Sequence, residues 1–218
     1  MVEVRMRLFV TTFFAIIMVK AAYAFPENPN QQLSVKAAAS WGLQYQYISS
    51  TLTAKETDTL ATQIDNVNMT GAASGVYGFY LLPLDERVSL HLGMGYEPFK
   101  VSGTSSIAGC ANFTSHQCDA DINYVTTRAA IRTIFEKRTY NLWAELGFSL
   151  KYPLSSTSTA LEQDKITLIH TFDIGVGSDL YLNKKNFVPL SLQYSLFPPS
   201  NNVTSSSLYF KLGYGWTL

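Results

Sequence analysis

The chain reads as a series of period-two stretches separated by polar gaps. In a strand, residues two apart share a face, so strict alternation means that the two faces meet unlike surroundings. The final stretch is the clearest. Leu208, Phe210, Leu212, Tyr214, Trp216 and Leu218 oppose Tyr209, Lys211, Gly213, Gly215 and Thr217. Thr139–Tyr152 repeats the pattern, with Tyr140, Leu142, Ala144, Leu146, Phe148, Leu150 and Tyr152 against Asn141, Trp143, Glu145, Gly147, Ser149 and Lys151.

The same reading gives strands over Leu33–Ile48, Met69–Leu84, Val88–Val101, Asp121–Phe135, Lys165–Leu182 and Phe187–Phe197. In Met69–Leu84 the phase is open, because either Tyr77, Phe79 and Leu81 or Val76, Tyr80 and Leu82 can be the outer set. Between the strands lie long polar connections at Ser49–Asn68, Ser102–Ala120 and Pro153–Asp164, and a shorter one at Pro198–Ser205. Tight turns at Leu84–Arg87, Glu136–Arg138 and Asn183–Asn186 alternate with them. Eight strands with connections alternating between long and short match an up-and-down barrel of the outer-membrane type, with short turns on one side and loops on the other. Both termini then fall on the short-turn, periplasmic side.

Composition sharpens this. Charged residues make up 15% of the chain and aromatic residues 13%, against roughly 25% charged in an ordinary soluble domain. A lipocalin-like barrel would also alternate. Here, though, the polar face is rich in Gly, Ser, Thr and Gln rather than Lys and Glu, which suits a narrow interior. Trp41, Tyr47, Tyr96, Phe99, Tyr140, Tyr152, Phe187, Phe197 and Trp216 fall near strand ends, as expected of aromatic girdles at two membrane interfaces. The formal net charge is zero, which gives no basis for nucleic-acid binding.

The first residues have the form of a secretory signal. Arg5 and Arg7 precede a short apolar run, Leu8–Val19, followed by Ala22-Tyr23-Ala24. The expected organisation is residues 1–24 as signal peptide and 25–218 as one barrel domain.

Lys211-x-Gly213-x-x-Trp216-x-Leu218 resembles the C-terminal signal that outer-membrane barrels present to their assembly machinery, with Leu218 where that family usually carries Phe. With the strand count and loop rhythm, the chain is similar to the small eight-stranded OmpX/Ail and OmpA-membrane-domain class. That resemblance implies an all-β, eight-stranded antiparallel transmembrane barrel, monomeric in outer-membrane lipid. The class includes adhesins, complement-resistance proteins, structural anchors and some lipid-modifying enzymes, so it implies no single activity.

Cys110 and Cys118, the only cysteines, share a predicted external loop, and an exported chain with an even count points to a disulfide. The predicted inner face collects Lys36, Arg128, Arg132, Lys151 and Lys211 with Glu97, Glu145, Asp173 and Asp179. These charges are expected to pair across the lumen, since a lone buried charge is costly. A polar plug is the reading favoured over an ion path. Catalysis finds little support. A lipid A deacylase on this fold uses His and Ser with an acidic partner on the outer wall, whereas His170 is followed by Thr171-Phe172. His91, His116 and His170 show no metal-ligand spacing. No cofactor is expected. The expected role is therefore structural or surface-interacting through the loops, with a narrow pore for ions or small solutes as the first alternative and a lipid-modifying outer-membrane enzyme as the second.

Overall fold

The computed structural model describes residues 38–57, 64–106, 110, 116–137, 140–161, 166–198 and 203–218. They form eight antiparallel strands closed into a barrel in chain order. The strands are β1 (Ser40–Thr57), β2 (Ile64–Pro83), β3 (Val88–Thr104), β4 (Gln117–Lys137), β5 (Tyr140–Ser158), β6 (Ile169–Tyr181), β7 (Asn186–Leu196) and β8 (Val203–Thr217). Closure comes from β1 against β8, with Trp41 opposite Trp216 and Ala54 opposite Val203. The expected signal segment and Lys36 lie outside the described residues.

Two expectations need correction. Much of what reads as external loop is strand. β1 runs on from Ile48 to Thr57, β2 begins at Ile64, β4 begins at Gln117 and β5 continues to Ser158. Three of the expected girdle aromatics also turn inward. Phe99 and Phe187 are buried, and Phe197 packs against the same apolar cluster as Phe99. Phe187 shares the inward phase of β7 with Ser191, Gln193 and Ser195, and its ring packs 6.2 Å from Phe79 and 5.5 Å from Tyr181. Aromatic character alone does not say which face a strand-end residue takes. Phase does.

The open phase of β2 resolves with Tyr77, Phe79 and Leu81 inside and Val76, Tyr80 and Leu82 outside. The outward positions then make a continuous apolar belt. It includes Trp41, Leu43, Tyr45 and Tyr47 on β1, Met94 and Tyr96 on β3, and Leu146, Phe148, Leu150 and Tyr152 on β5. On β5 and β8 the belt runs from Leu142 to Tyr152 and from Leu208 to Trp216, within the roughly 9 to 11 residues of a tilted crossing.

Beyond the belt the outer wall becomes hydroxylic. Ser49, Thr51 and Thr53 on β1 are followed around the barrel by Asn68 and Thr70 on β2 and Thr204 and Ser206 on β8. These residues bond across strands, with Thr51 Oγ1 3.0 Å from Ser206 Oγ and Thr53 Oγ1 donating to Asn68 Oδ1 at 2.8 Å. Tyr45 Oη meets Ser74 Oγ, and Tyr96 Oη donates to Asn123 Oδ1 at 2.7 Å, so tyrosine hydroxyls sit along the boundary between apolar and hydroxylic wall.

Candidate functional site

Within the belt the lumen is filled by charge. β3, β4, β5 and β6 place His91, Arg128, Arg132, Glu145 and Asp173 on inward positions in neighbouring register, with Arg132 opposite Glu145 and Gly147 opposite Asp173. Glu145 is the hub. Its Oε1 accepts from Arg128 Nη1 at 2.6 Å, and its Oε2 lies 3.1 Å from Arg132 Nε and 2.8 Å from His91 Nδ1. Arg128 Nε also donates to Asp173 Oδ2 at 3.1 Å, and Arg132 Nη1 donates to Asp179 Oδ2 at 3.3 Å. Asp173 accepts further bonds from the hydroxyls of Ser149, Thr171 and Ser195. Arg132 also stacks on Trp143, 3.6 Å from the ring centroid.

A second group lies toward the loop end. Lys151 Nζ and Tyr209 Oη both donate to Glu97 Oε1, and Thr126 Oγ1 donates to Glu97 Oε2 at 3.0 Å. Lys151 Nζ is also 2.7 Å from Tyr209 Oη. Lys211 pairs with no carboxylate among the described residues; its ammonium lies 4.2 Å from the centroid of the Tyr77 ring and 5.5 Å from that of Tyr209. Such placement supplies partial charge compensation through the ring quadrupole. All these charged side chains are buried.

Two parts of this site are not in the expected charge network. The first is His91, whose alternation with Ser89 and Glu97 puts it on the lumenal face; it meets Glu145, and its ring is edge-on to Tyr77 and Phe79. The second is an apolar layer closing the loop end of the lumen. Leu52, Val67, Met69, Phe99, Val101 and Ile122 pack there with Tyr124 and the Cys110–Cys118 disulfide, and both cysteines are fully buried. The lumen is therefore polar only in its middle. Only Leu52, Val67 and the cysteines of this layer fall in segments that read as loop; Met69, Phe99, Val101, Ile122 and Tyr124 lie in the predicted strands, where the phase of Met69–Leu84 is open and Phe99 is expected in the outer girdle.

The remaining candidates are dispersed. Trp216 stacks on Trp41 with ring centroids 4.5 Å apart, on the outer face at the short-turn end. Gly213 and Lys211 face the lumen, and Leu218 N donates to Ala39 O at 2.9 Å. His170 is exposed on the outer face, away from lumenal His91 and Ser89. The structure thus brings no His-Ser-carboxylate set together on the outer wall among the described residues. Nor does it place three or more His, Cys, Asp or Glu residues to hold a metal ion among those residues.

Solved structures show the fold class. The outer membrane protein OprG from Pseudomonas aeruginosa is 9% identical, with 84% of this chain and 97% of that one covered and a TM-score of 0.56. Outer membrane protein AlkL, solved by solid-state NMR in DMPC lipid bilayers, is 10% identical, with 89% and 97% covered and a TM-score of 0.51. Ail, the attachment invasion locus protein of Yersinia pestis, solved with the heparin analogue sucrose octasulfate, is 12% identical, with 83% and 99% covered and a TM-score of 0.45. No protein-family model matches the sequence, and no curated protein does either. The chain has the fold of the small eight-stranded outer-membrane barrels.

Proposed function

We propose that this protein is a sealed barrel of the bacterial outer membrane that acts through the wall it projects beyond the lipid. One observation carries the reading. Glu145 ties Arg128, Arg132 and His91 into a buried network across the lumen, and an apolar layer lies above it. An ion entering would have to break buried pairs, and removing one partner of such a pair costs about 3 to 5 kcal/mol. The network serves as a plug that fixes strand register, and the chain is not an enzyme. The surface offered outside is the hydroxylic wall of β1, β2 and β8. A rigid scaffold displaying such segments suits contact with an external ligand or surface.

The rest of the reading follows from this location. Residues 1–24 are removed on export, both termini are periplasmic, and Lys211, Gly213, Trp216 and Leu218 are presented to the assembly machinery. The mature chain is a monomer in lipid and takes no nucleic acid. In planar bilayers the folded protein is expected to give no steady discrete conductance. Regular openings from a heat-modifiable, correctly folded sample would replace this reading with the narrow pore. Deleting Trp216–Leu218 is expected to reduce outer-membrane insertion, and normal insertion would remove the assembly role of those residues.

A further inference from the structure

Gly78 breaks the apolar belt. It lies on the outward face of β2, opposite Leu43 of β1 and Met94 of β3 in register, and the next outward row is Tyr45, Val76 and Tyr96. Leu43, Val76 and Met94 are each about 60% exposed, so these side chains stand away from the wall. Together they enclose a groove of about 470 Å³ whose floor is Gly78. A glycine inside a strand weakens it, and its usual justification is a bulge or the close approach of another group.

Packing within the protein does not supply that justification. A Cβ at Gly93 or Gly95 would strike Tyr77, at 1.9 Å and 2.9 Å, so the barrel needs glycine at both positions. A Cβ at Gly78 would meet nothing closer than 3.6 Å, the Leu43 side chain. The missing side chain is therefore space on the lipid side, left open by the sequence and not demanded by the fold. The groove's upper rim is formed by Tyr45 and Tyr96, whose hydroxyls bond to Ser74 and Asn123 at the boundary of the hydroxylic wall. A molecule with an apolar tail and a polar head would lie with its tail over Gly78 and its head at those hydroxyls.

We infer that this groove holds one acyl chain of a lipid in the leaflet on the loop side of the barrel, more tightly than the rest of the belt holds its lipid. The groove is continuous with the lipid-facing belt, and its lining is apolar except for the rim tyrosines and for Gln44 and Tyr77, whose side chains turn into the lumen. The inference rests on the membrane reading above. Its occupant is defined by the acyl chain, which a phospholipid or lipid A could supply.

The test uses the mature protein refolded in phosphatidylethanolamine and phosphatidylglycerol bilayers. One arm is doped with phosphatidylethanolamine carrying a diazirine midway along one chain, the other with lipid A labelled in the same way. After photolysis, adducts are mapped by mass spectrometry. Segments 43–45, 76–80 and 94–96 are expected to be labelled several-fold above the wall around Phe148 and Phe172. Gly78→Leu is expected to lower them to the level of that wall, while Ala129→Leu, elsewhere on the belt, leaves them unchanged. Excess in either arm supports the groove and identifies the lipid that supplies the chain. Even labelling around the belt, or a Gly78→Leu protein labelled like the wild type, overturns it. So does a dimer that Gly78→Leu dissociates, since the occupant is then a second copy. A heat-modifiable barrel with no label anywhere overturns the membrane reading instead.

Discussion

Strand β1 changes its chemistry at Tyr47 without changing its phase. Before that residue Trp41, Leu43, Tyr45 and Tyr47 point out and Gln44 and Gln46 point in. After it Ile48, Leu52 and Ala54 point in, and Ser49, Thr51 and Thr53 point out. β4 makes the same exchange between Tyr124 and Val125. Ile122 and Tyr124 are inside on the loop side, and Arg128 and Arg132 are inside within the belt. One half of the barrel is built for lipid outside and charge inside. The other has water outside and oil inside, like a soluble barrel. On β1 the ladders to β2 and β8 run through both halves unbroken, so there the difference lies in which face carries the apolar residues.

The two halves should therefore break differently. The largest effect is expected in the lower lumen. Among the described residues, Glu145→Ala leaves Asp173 as the one carboxylate paired with Arg128 and Asp179 as the one paired with Arg132. Leaving buried charge short of a partner costs about 3 to 5 kcal/mol. The urea midpoint of the protein refolded in lipid bilayers should fall accordingly, with loss of the folded band on a cold gel in the extreme case. An unchanged midpoint would mean that water already reaches these groups.

Next comes a pair of substitutions on the outer wall, one in each half. Leu146, exposed near the middle of the belt on β5, becomes costly as arginine, by about 2 to 4 kcal/mol at the bilayer midplane. Thr51→Arg, on the hydroxylic wall, should stay within about 0.5 kcal/mol of the wild type, like an ordinary surface change. Equal costs would erase the distinction between the halves. A large cost at Thr51 alone would mean that the upper wall is covered.

How much of this was legible follows from the exchange itself. Strand number, order, the short turns and the belt could be read because alternation is strong wherever lipid lies on one side, as in Tyr140–Tyr152. The upper extensions could not. At Tyr47-Ile48-Ser49-Ser50 two apolar residues meet and two polar ones follow, which reads as the end of a strand when it is an inversion of faces. Across β2 the exchange passes through Gly71, Ala72, Ala73, Ser74 and Gly75, where small side chains erase the pattern. The lumenal charges were legible individually by phase. That they pair is expected from the cost of a lone buried charge, but the partners are not legible, because Glu145 meets His91 across β4 and not through sequence spacing.

The disulfide belongs to the upper half, where it is fully buried beside Leu52, Met69 and Phe99. Replacing both cysteines by serine should remove about 2 to 3 kcal/mol in the chain-entropy model for so short a loop. The loss should be local. Protease cleavage near Cys110–Cys118 is expected to rise while the belt and the folded gel band persist. Thiol labelling without reductant would show that the bond does not form.

The smallest effect comes from an ion pair that repeats lumenal chemistry in water. Lys100 Nζ lies 2.7 Å from Asp121 Oδ2, both side chains being well exposed on the upper outer wall. That hydrogen bond and charge raise the Lys100 ammonium above its ordinary value of 10.5. A cation stabilised in this way contributes fully below that ordinary value, and its contribution disappears as the pH rises through the raised one. Exposed pairs contribute little because water and salt screen them. Lys100→Ala is therefore expected to leave the urea midpoint unchanged within error at pH 7, in low and high salt alike. Lys151→Ala, which strands buried Glu97, should lower it clearly. If the two substitutions cost the same, the lumen is as wet as the outer wall, and the plug would have to be abandoned for a water-filled path.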